Sequence, residues 1–137
     1  QFPLTGREPG PKLMTFPGEV AEEYTCSKRS LPFFKIEETE LTPHKIEPGN
    51  KLNHRFIYVM CPLRASGVIP GTLYTRIRFR GKTVYTNVTD HELQPGRWAV
   101  DATIRLPESA ASGIYAIEAR FQSKRGGFNA KSDFLVR

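Results

Sequence analysis

Long apolar runs, helical periodicity and cysteine are all scarce in this sequence, and each scarcity narrows what the chain can be. The longest nearly uncharged apolar run, Phe56-Ile57-Tyr58-Val59-Met60-Cys61-Pro62-Leu63, falls far short of the roughly 20 residues that a membrane-spanning helix needs. Apolar residues hardly ever recur at intervals of three and four, so the chain reads as a sheet protein. The three histidines, His44, His54 and His91, lack the short ligand spacing of a metal site, and neither a metal nor another cofactor is expected. The two cysteines, Cys26 and Cys61, stand 35 residues apart, and a bridge between them would contribute roughly 3 to 4 kcal/mol by closing that loop. Two separate buried thiols are the other reading.

Catalytic constellations are also missing. Glu37, Glu38 and Glu40 lie close in sequence, but neighbouring strand residues point to opposite faces and nothing apolar is positioned to raise a carboxyl pKa. Asp90-His91-Glu92 sets an acid beside a base, yet its only nearby hydroxyls are Thr86 and Thr89 and no small-residue elbow presents a nucleophile. Cys61-Pro62 lacks the flanks of a thiol nucleophile. An enzyme is therefore not expected, and an acid/base hydrolase is the remote alternative.

What is present describes an all-β domain. A chain of 137 residues suits one domain that buries roughly two thirds of the surface its unfolded form exposes. Residues 1–30 carry Pro3, Pro9, Pro11 and Pro17 with Gly6, Gly10 and Gly18, which predicts an extended or partly disordered arm with at most a helical turn at 20–24. Residues 31–137 are predicted to form an immunoglobulin-like β-sandwich of about seven strands, at 33–41, 51–61, 72–80, 82–87, 97–106, 113–123 and 128–136. Pro-Gly pairs at Pro48-Gly49, Pro70-Gly71 and Pro95-Gly96 predict corners. The polar segment from Leu106 to Gly113 predicts another turn back across the sandwich.

Period-two alternation assigns faces. Leu73, Thr75, Ile77 and Phe79 share the inner side of their strand, as do Trp98, Val100, Ala102, Ile104 and Leu106, and Tyr115, Ile117, Ala119 and Phe121. In 51–61 both phases are apolar, so that strand is expected to be central and covered on both faces. Arg76, Arg78 and Arg80 with Lys82 form a basic stripe on an outer face. It is either an anion or head-group site or is neutralised across strands by Glu118 or Asp101. The net charge of +6 favours anionic partners, while the lack of interleaved aromatic platforms argues against nucleic acid. Asn87-Val88-Thr89 fits the N-glycosylation pattern at Asn87, in an expected loop. The chain opens at Gln1 with no charged-then-apolar leader, which a removed secretion signal or trimming explains. With the cysteines, it gives the expectation of a secreted or extracytoplasmic protein.

The order of several segments resembles the ML lipid-recognition domains. These are Cys26 followed by Phe34-Lys35-Ile36-Glu37-Glu38-Thr39-Glu40-Leu41-Thr42-Pro43, then Ile46-Glu47-Pro48-Gly49-Asn50-Lys51-Leu52, Gly71, Gly81, and Leu106-Pro107 leading to Gly113-Ile114-Tyr115. The resemblance covers most of residues 26–136, and the sequence departs from the family in lacking most of its usual cysteines, with none in the last strand. It implies a non-enzymatic carrier that holds a lipid or other apolar molecule between its sheets. The walls would be Phe56, Tyr58, Leu73, Ile77, Phe79, Trp98, Val100, Ile104, Tyr115, Ile117, Phe121, Phe128 and Phe134, and the partner an anionic membrane surface or a protein receptor. The competing expectation is a recognition domain, of effector or adhesion type, whose solid core supports an outer face that meets a protein or glycan.

Overall fold

Strands form where β-branched and aromatic residues alternate with polar ones, and the structure, a computed structural model describing residues 7–137, gathers these segments into two sheets packed face to face. In chain order the described elements are β1 (Gly10–Thr15), α1 (Pro17–Glu23), a single 3-10 turn at Cys26–Lys28, β2 (Phe33–Thr42), β3 (Lys45–Ile46), β4 (Lys51–Cys61), β5 (Ile69–Phe79), β6 (Lys82–Leu93), β7 (Gly96–Arg105), β8 (Gly113–Ser123) and β9 (Gly126–Val136). One sheet has the order β1-β7-β4-β2 and the other β3-β9-β8-β5-β6. The chain leaves the first sheet after β2 and joins the second through β3, which runs parallel to β9; all other pairings are antiparallel. This is the expected immunoglobulin-like sandwich, with β1 and β3 added to the seven predicted strands.

Three expectations need correction. Residues 10–15 of the expected arm are an edge strand on β7, and residues 17–23 are a helix lying over β4 and β7; the remainder of the arm reading, at 1–6, lies outside the described residues. Pro11 is tolerated because an edge strand has a neighbour on one side only. Ile69-Pro70-Gly71-Thr72 is not a corner but the start of β5. Only β6 pairs with 69–71 there, since the β8 ladder begins at Thr72, so the missing Pro70 N–H breaks no bond to β8. Gly71 is needed for space, because a Cβ would lie 2.4 Å from the Gln122 carbonyl oxygen and 2.6 Å from the Phe121 ring. Finally, β6 does not end at 87 but runs to Leu93, carried on by Val88 and Thr89, so Asn87 sits within a strand and not in a loop.

Local chemistry explains the remaining corners. Asn50 N–H donates to the Glu47 carbonyl with Gly49 at φ +87°, and Gly96 turns the chain into β7 at φ +109°. The Tyr115 hydroxyl donates to the Ala111 carbonyl at 2.7 Å and so ties the polar crossing before β8 to the strand that follows it, the device known as a tyrosine corner.

The outer face of β4 presents Ile57, Val59 and Cys61, which cannot be left in water. Helix α1 covers that face with the fully buried Val20, and a Cys26–Cys61 disulfide ties the segment after the helix to the end of β4. Arg97 on β7 donates to Glu37 and Thr15 and pairs with Glu23 of α1 at 3.0 Å; the Tyr24 hydroxyl also donates to Glu37. Asp101, 3% exposed, accepts two 2.9 Å bonds from Arg55 and one of 3.1 Å from Lys12 of β1. Opening the 35-residue disulfide loop removes its chain-entropy contribution, so a variant with both cysteines replaced by alanine is expected to lose roughly 3 to 4 kcal/mol of unfolding free energy in urea. A loss within 1 kcal/mol of zero would show that α1 stays docked without the bridge.

Candidate functional site

The thirteen expected wall residues all belong to the layer between the sheets, where they pack against one another in two clusters. Ile77, Ile104, Tyr115, Ile117 and Phe134, with Phe79 beside them, form one core cluster; Phe56, Tyr58, Val100 and Phe121, with Leu73, Trp98 and Phe128 beside them, form the other. The Phe128 ring lies 5.4 Å from both Phe56 and Phe121 and 6.4 Å from Tyr58, while Tyr115 stacks between Phe79 at 4.2 Å and Phe134 at 5.4 Å. Tyr58 is fully buried and its hydroxyl accepts from the Gln94 N–H at 2.9 Å; burial pushes its pKa up to about 12. The Trp98 indole donates to the Pro95 carbonyl at 3.0 Å. These are the contacts of an interdigitated core.

The sandwich does part along one side. A cleft of about 260 Å³ opens between the β1 edge of the first sheet and the β6 edge of the second, floored by Phe56, Leu73, Val100 and Ile104 among others. His54 and His91 both line it, and among the described residues neither Nε2 has a hydrogen-bond partner. His54 is 2% exposed on the inner face of β4, and burial pushes it down from 6.5 to about 4; burial also lowers His91, with Glu92 opposing. Asn87, paired with the buried Thr75, faces this cleft from the exposed edge strand.

The basic stripe does not converge. The Arg76 Nε donates to Glu118 at 2.9 Å, the cross-strand neutralisation that was one of the two readings; the other acid considered, Asp101, lies in the other sheet with Arg55 and Lys12. Arg78 donates to the Gly81 carbonyl and to Thr83. Arg80 has left the strand altogether: with Gly81 it makes the two-residue β5–β6 loop, at φ +51° and +78°. Lys82 pairs with Phe79, on the side of the sheet opposite Arg78.

A different set of cations does come together. At one end of the sandwich an open groove of about 1200 Å³ runs between the β4–β5 connection and the β8–β9 hairpin, onto the outer face of the second sheet. Arg64, Arg120, Lys124 and Arg125 line it and no aspartate or glutamate does. Among the described residues none of the four is ion-paired. Each is placed by local structure. The Gly67 N–H donates to the Arg64 carbonyl at 2.8 Å, closing a turn. Lys124 and Arg125 occupy the two-residue loop between the paired Ser123 and Gly126, and the Ser123 hydroxyl donates to the Gly126 carbonyl while accepting from the Arg125 N–H. Arg120 lies opposite Tyr74 across strands, its guanidinium 6.0 Å from the ring centre. Leu63 and Val68, 54% and 43% exposed, add apolar surface.

Sequence reasoning missed both features. Lys124-Arg125 before Gly126-Gly127 reads as a hairpin tip, but nothing in the chain sets it beside Arg64. His54 in phase with Phe56 and Tyr58 does signal an inward histidine. Among the described residues, no group of three or more His, Cys, Asp or Glu is arranged to hold a metal ion, and no helix is long and apolar enough to cross a membrane.

Because His54 resists protonation in the fold but not in the unfolded chain, stability is full above about pH 6.5 and falls as the pH drops toward 4. At 1.36 kcal/mol per pH unit the loss reaches about 3 kcal/mol. Asp101, raised by burial but held down more strongly by Arg55 and Lys12, adds a loss in the same direction at lower pH. Urea titrations at pH 7 and pH 4.5 should therefore show a smaller drop for His54→Gln than for the unaltered chain, and equal drops would refute this origin.

No family model matches the chain, and no curated protein matches it. Solved structures share the fold. The alkylpurine DNA glycosylase AlkC of Pseudomonas fluorescens, bound to DNA containing an abasic site analog, aligns at 13% identity and TM-score 0.55 over 76% of this chain and 30% of that one. The β-glucosidase EmGH1 of Erythrobacter marinus aligns at 13% identity and TM-score 0.51, over 77% and 16%. A family 123 glycoside hydrolase from Clostridium perfringens aligns at 10% identity and TM-score 0.52, over 93% and 26%. The chain thus spans less than a third of each of these proteins, and the likeness shows the β-sandwich fold alone.

Proposed function

We propose that the chain is a non-enzymatic recognition module that takes an anionic partner, a protein segment or glycan bearing carboxylate or sulfate groups, in the groove at the end of the sandwich. The observation that carries this reading is the convergence of Arg64, Arg120, Lys124 and Arg125 on one groove without a lining carboxylate. Uncompensated guanidinium groups are fork-shaped donors matched to such anions, and Leu63 and Val68 beside them supply apolar contact. The net charge of +6 favours approach of the same partners.

Cargo between the sheets, which the resemblance to ML domains implies, is the weaker reading. The residues that would wall such a slot occupy one another's space, and the 260 Å³ cleft is below the roughly 300 to 1,000 Å³ usual for a ligand of drug size, let alone a two-chain lipid. The disulfide supports an origin in an oxidising compartment, outside the cytosol or in a secretory lumen.

Retention on immobilised heparin, at low and at physiological salt, tests the groove. Arg64→Glu with Arg125→Glu should lower the eluting salt concentration clearly, while Arg78→Glu with Arg105→Glu, the same change in charge at two residues engaged outside the groove, should lower it much less. Equal losses from both would reduce the effect to net charge and end the proposal.

A further inference from the structure

Buried polar atoms in folded proteins nearly always have hydrogen-bond partners, so two imidazole nitrogens with none among the described residues, lining the same cleft, call for an explanation. His54 projects inward from β4 and His91 inward from β6, so one belongs to each sheet. Between them the cleft is apolar where Phe56, Val100 and Ile104 form its floor. A cavity of about 150 Å³ can hold a benzene ring. At about 260 Å³ this cleft has room for a substituted ring but not for an acyl chain of ordinary length.

We infer that the cleft between the β1 and β6 edges is a binding site for a small neutral ring compound carrying hydroxyl groups, which hydrogen-bond to His54 and His91. A hydroxyl suits either imidazole tautomer, because it can donate to a bare nitrogen or accept from a protonated one. An ion suits the site badly. Its floor is apolar, and the Asp101 carboxylate, turned to the outer face of its sheet, is held by Arg55 on both oxygens and by Lys12, so among the described residues no free carboxylate in the cleft can pair with a cation. The rim is accessible from outside, since Asn87 and Thr89 of β6 are exposed and also line the cleft. The site is separate from the basic end groove, and neither needs the other.

The full chain, labelled with 15N at histidine, can be titrated with resorcinol, phenol and benzene while the imidazole resonances are followed. Resorcinol should shift the signals of both His54 and His91 to saturation. Loss of one hydrogen bond of about 0.5 to 1.5 kcal/mol should make phenol roughly two- to tenfold weaker, and benzene weaker again. Thr89→Phe, a change at an exposed rim position that leaves the core intact, should weaken resorcinol at least tenfold with an unchanged urea midpoint. His54→Gln should lose the His54 share of the preference for resorcinol over benzene; should that variant fail to fold, Thr89→Phe still decides. Linear, unsaturating shifts, equal binding of benzene and resorcinol, or indifference to Thr89→Phe would each overturn the inference.

Discussion

The structure depends on one requirement: the strand β4 is apolar on both faces and must be covered on both. Its inner phase, Leu52, Phe56, Tyr58 and Met60, meets the opposite sheet, as any sandwich strand would. Its outer phase, Ile57, Val59 and Cys61, would be left in water by a bare sandwich, at a cost of about 1.5 to 3 kcal/mol for each large side chain. The segment before β2 meets that need. Val20 of α1 seals the face, and the Cys26–Cys61 bridge holds the following turn. Arg97 holds the cover from the other side by joining Glu23 of the helix, Thr15 of β1 and Glu37 of β2. A proline- and glycine-rich stretch with no pattern of its own becomes ordered because a neighbour requires it.

The two sides of the sandwich then differ. On the β2–β9 side the sheets meet closely, with Phe34 of β2 set edge-on to Phe121 and Phe128. On the other side the five-stranded sheet carries the exposed β6, and the gap between β6 and β1 is lined partly by polar groups and only partly by side chains that fill it. A dense aromatic core and an open cleft with an apolar floor and a partly polar rim thus coexist in one layer. The basic groove lies apart from both, at the end where the β4–β5 connection and the β8–β9 hairpin approach.

The strand pattern was legible because alternation is a local property. The ranges 51–61 and 113–123 coincide with β4 and β8, and the inner phases of β5, β7 and β8 face the core as read. The errors fell where pairing partners matter more than local pattern. Pro70-Gly71 looks like a corner until β6 runs alongside it, and Asn87 looks like a loop until β5 does. Arg80 looks like the last member of a stripe, but the hairpin begins one residue earlier and turns it away.

By itself, the sequence determined the sandwich, its inward faces, the double burial of β4 and the basic balance of the surface, because period-two alternation and charge need no knowledge of the partner strand. Only the tertiary structure decided which cations share a groove, that Cys26 meets Cys61, that Arg76 is neutralised by Glu118 and that His54 and His91 face a common cleft. Each of these joins residues distant in the chain, and such distances are set by strand order and register, which the pattern of any single strand does not encode.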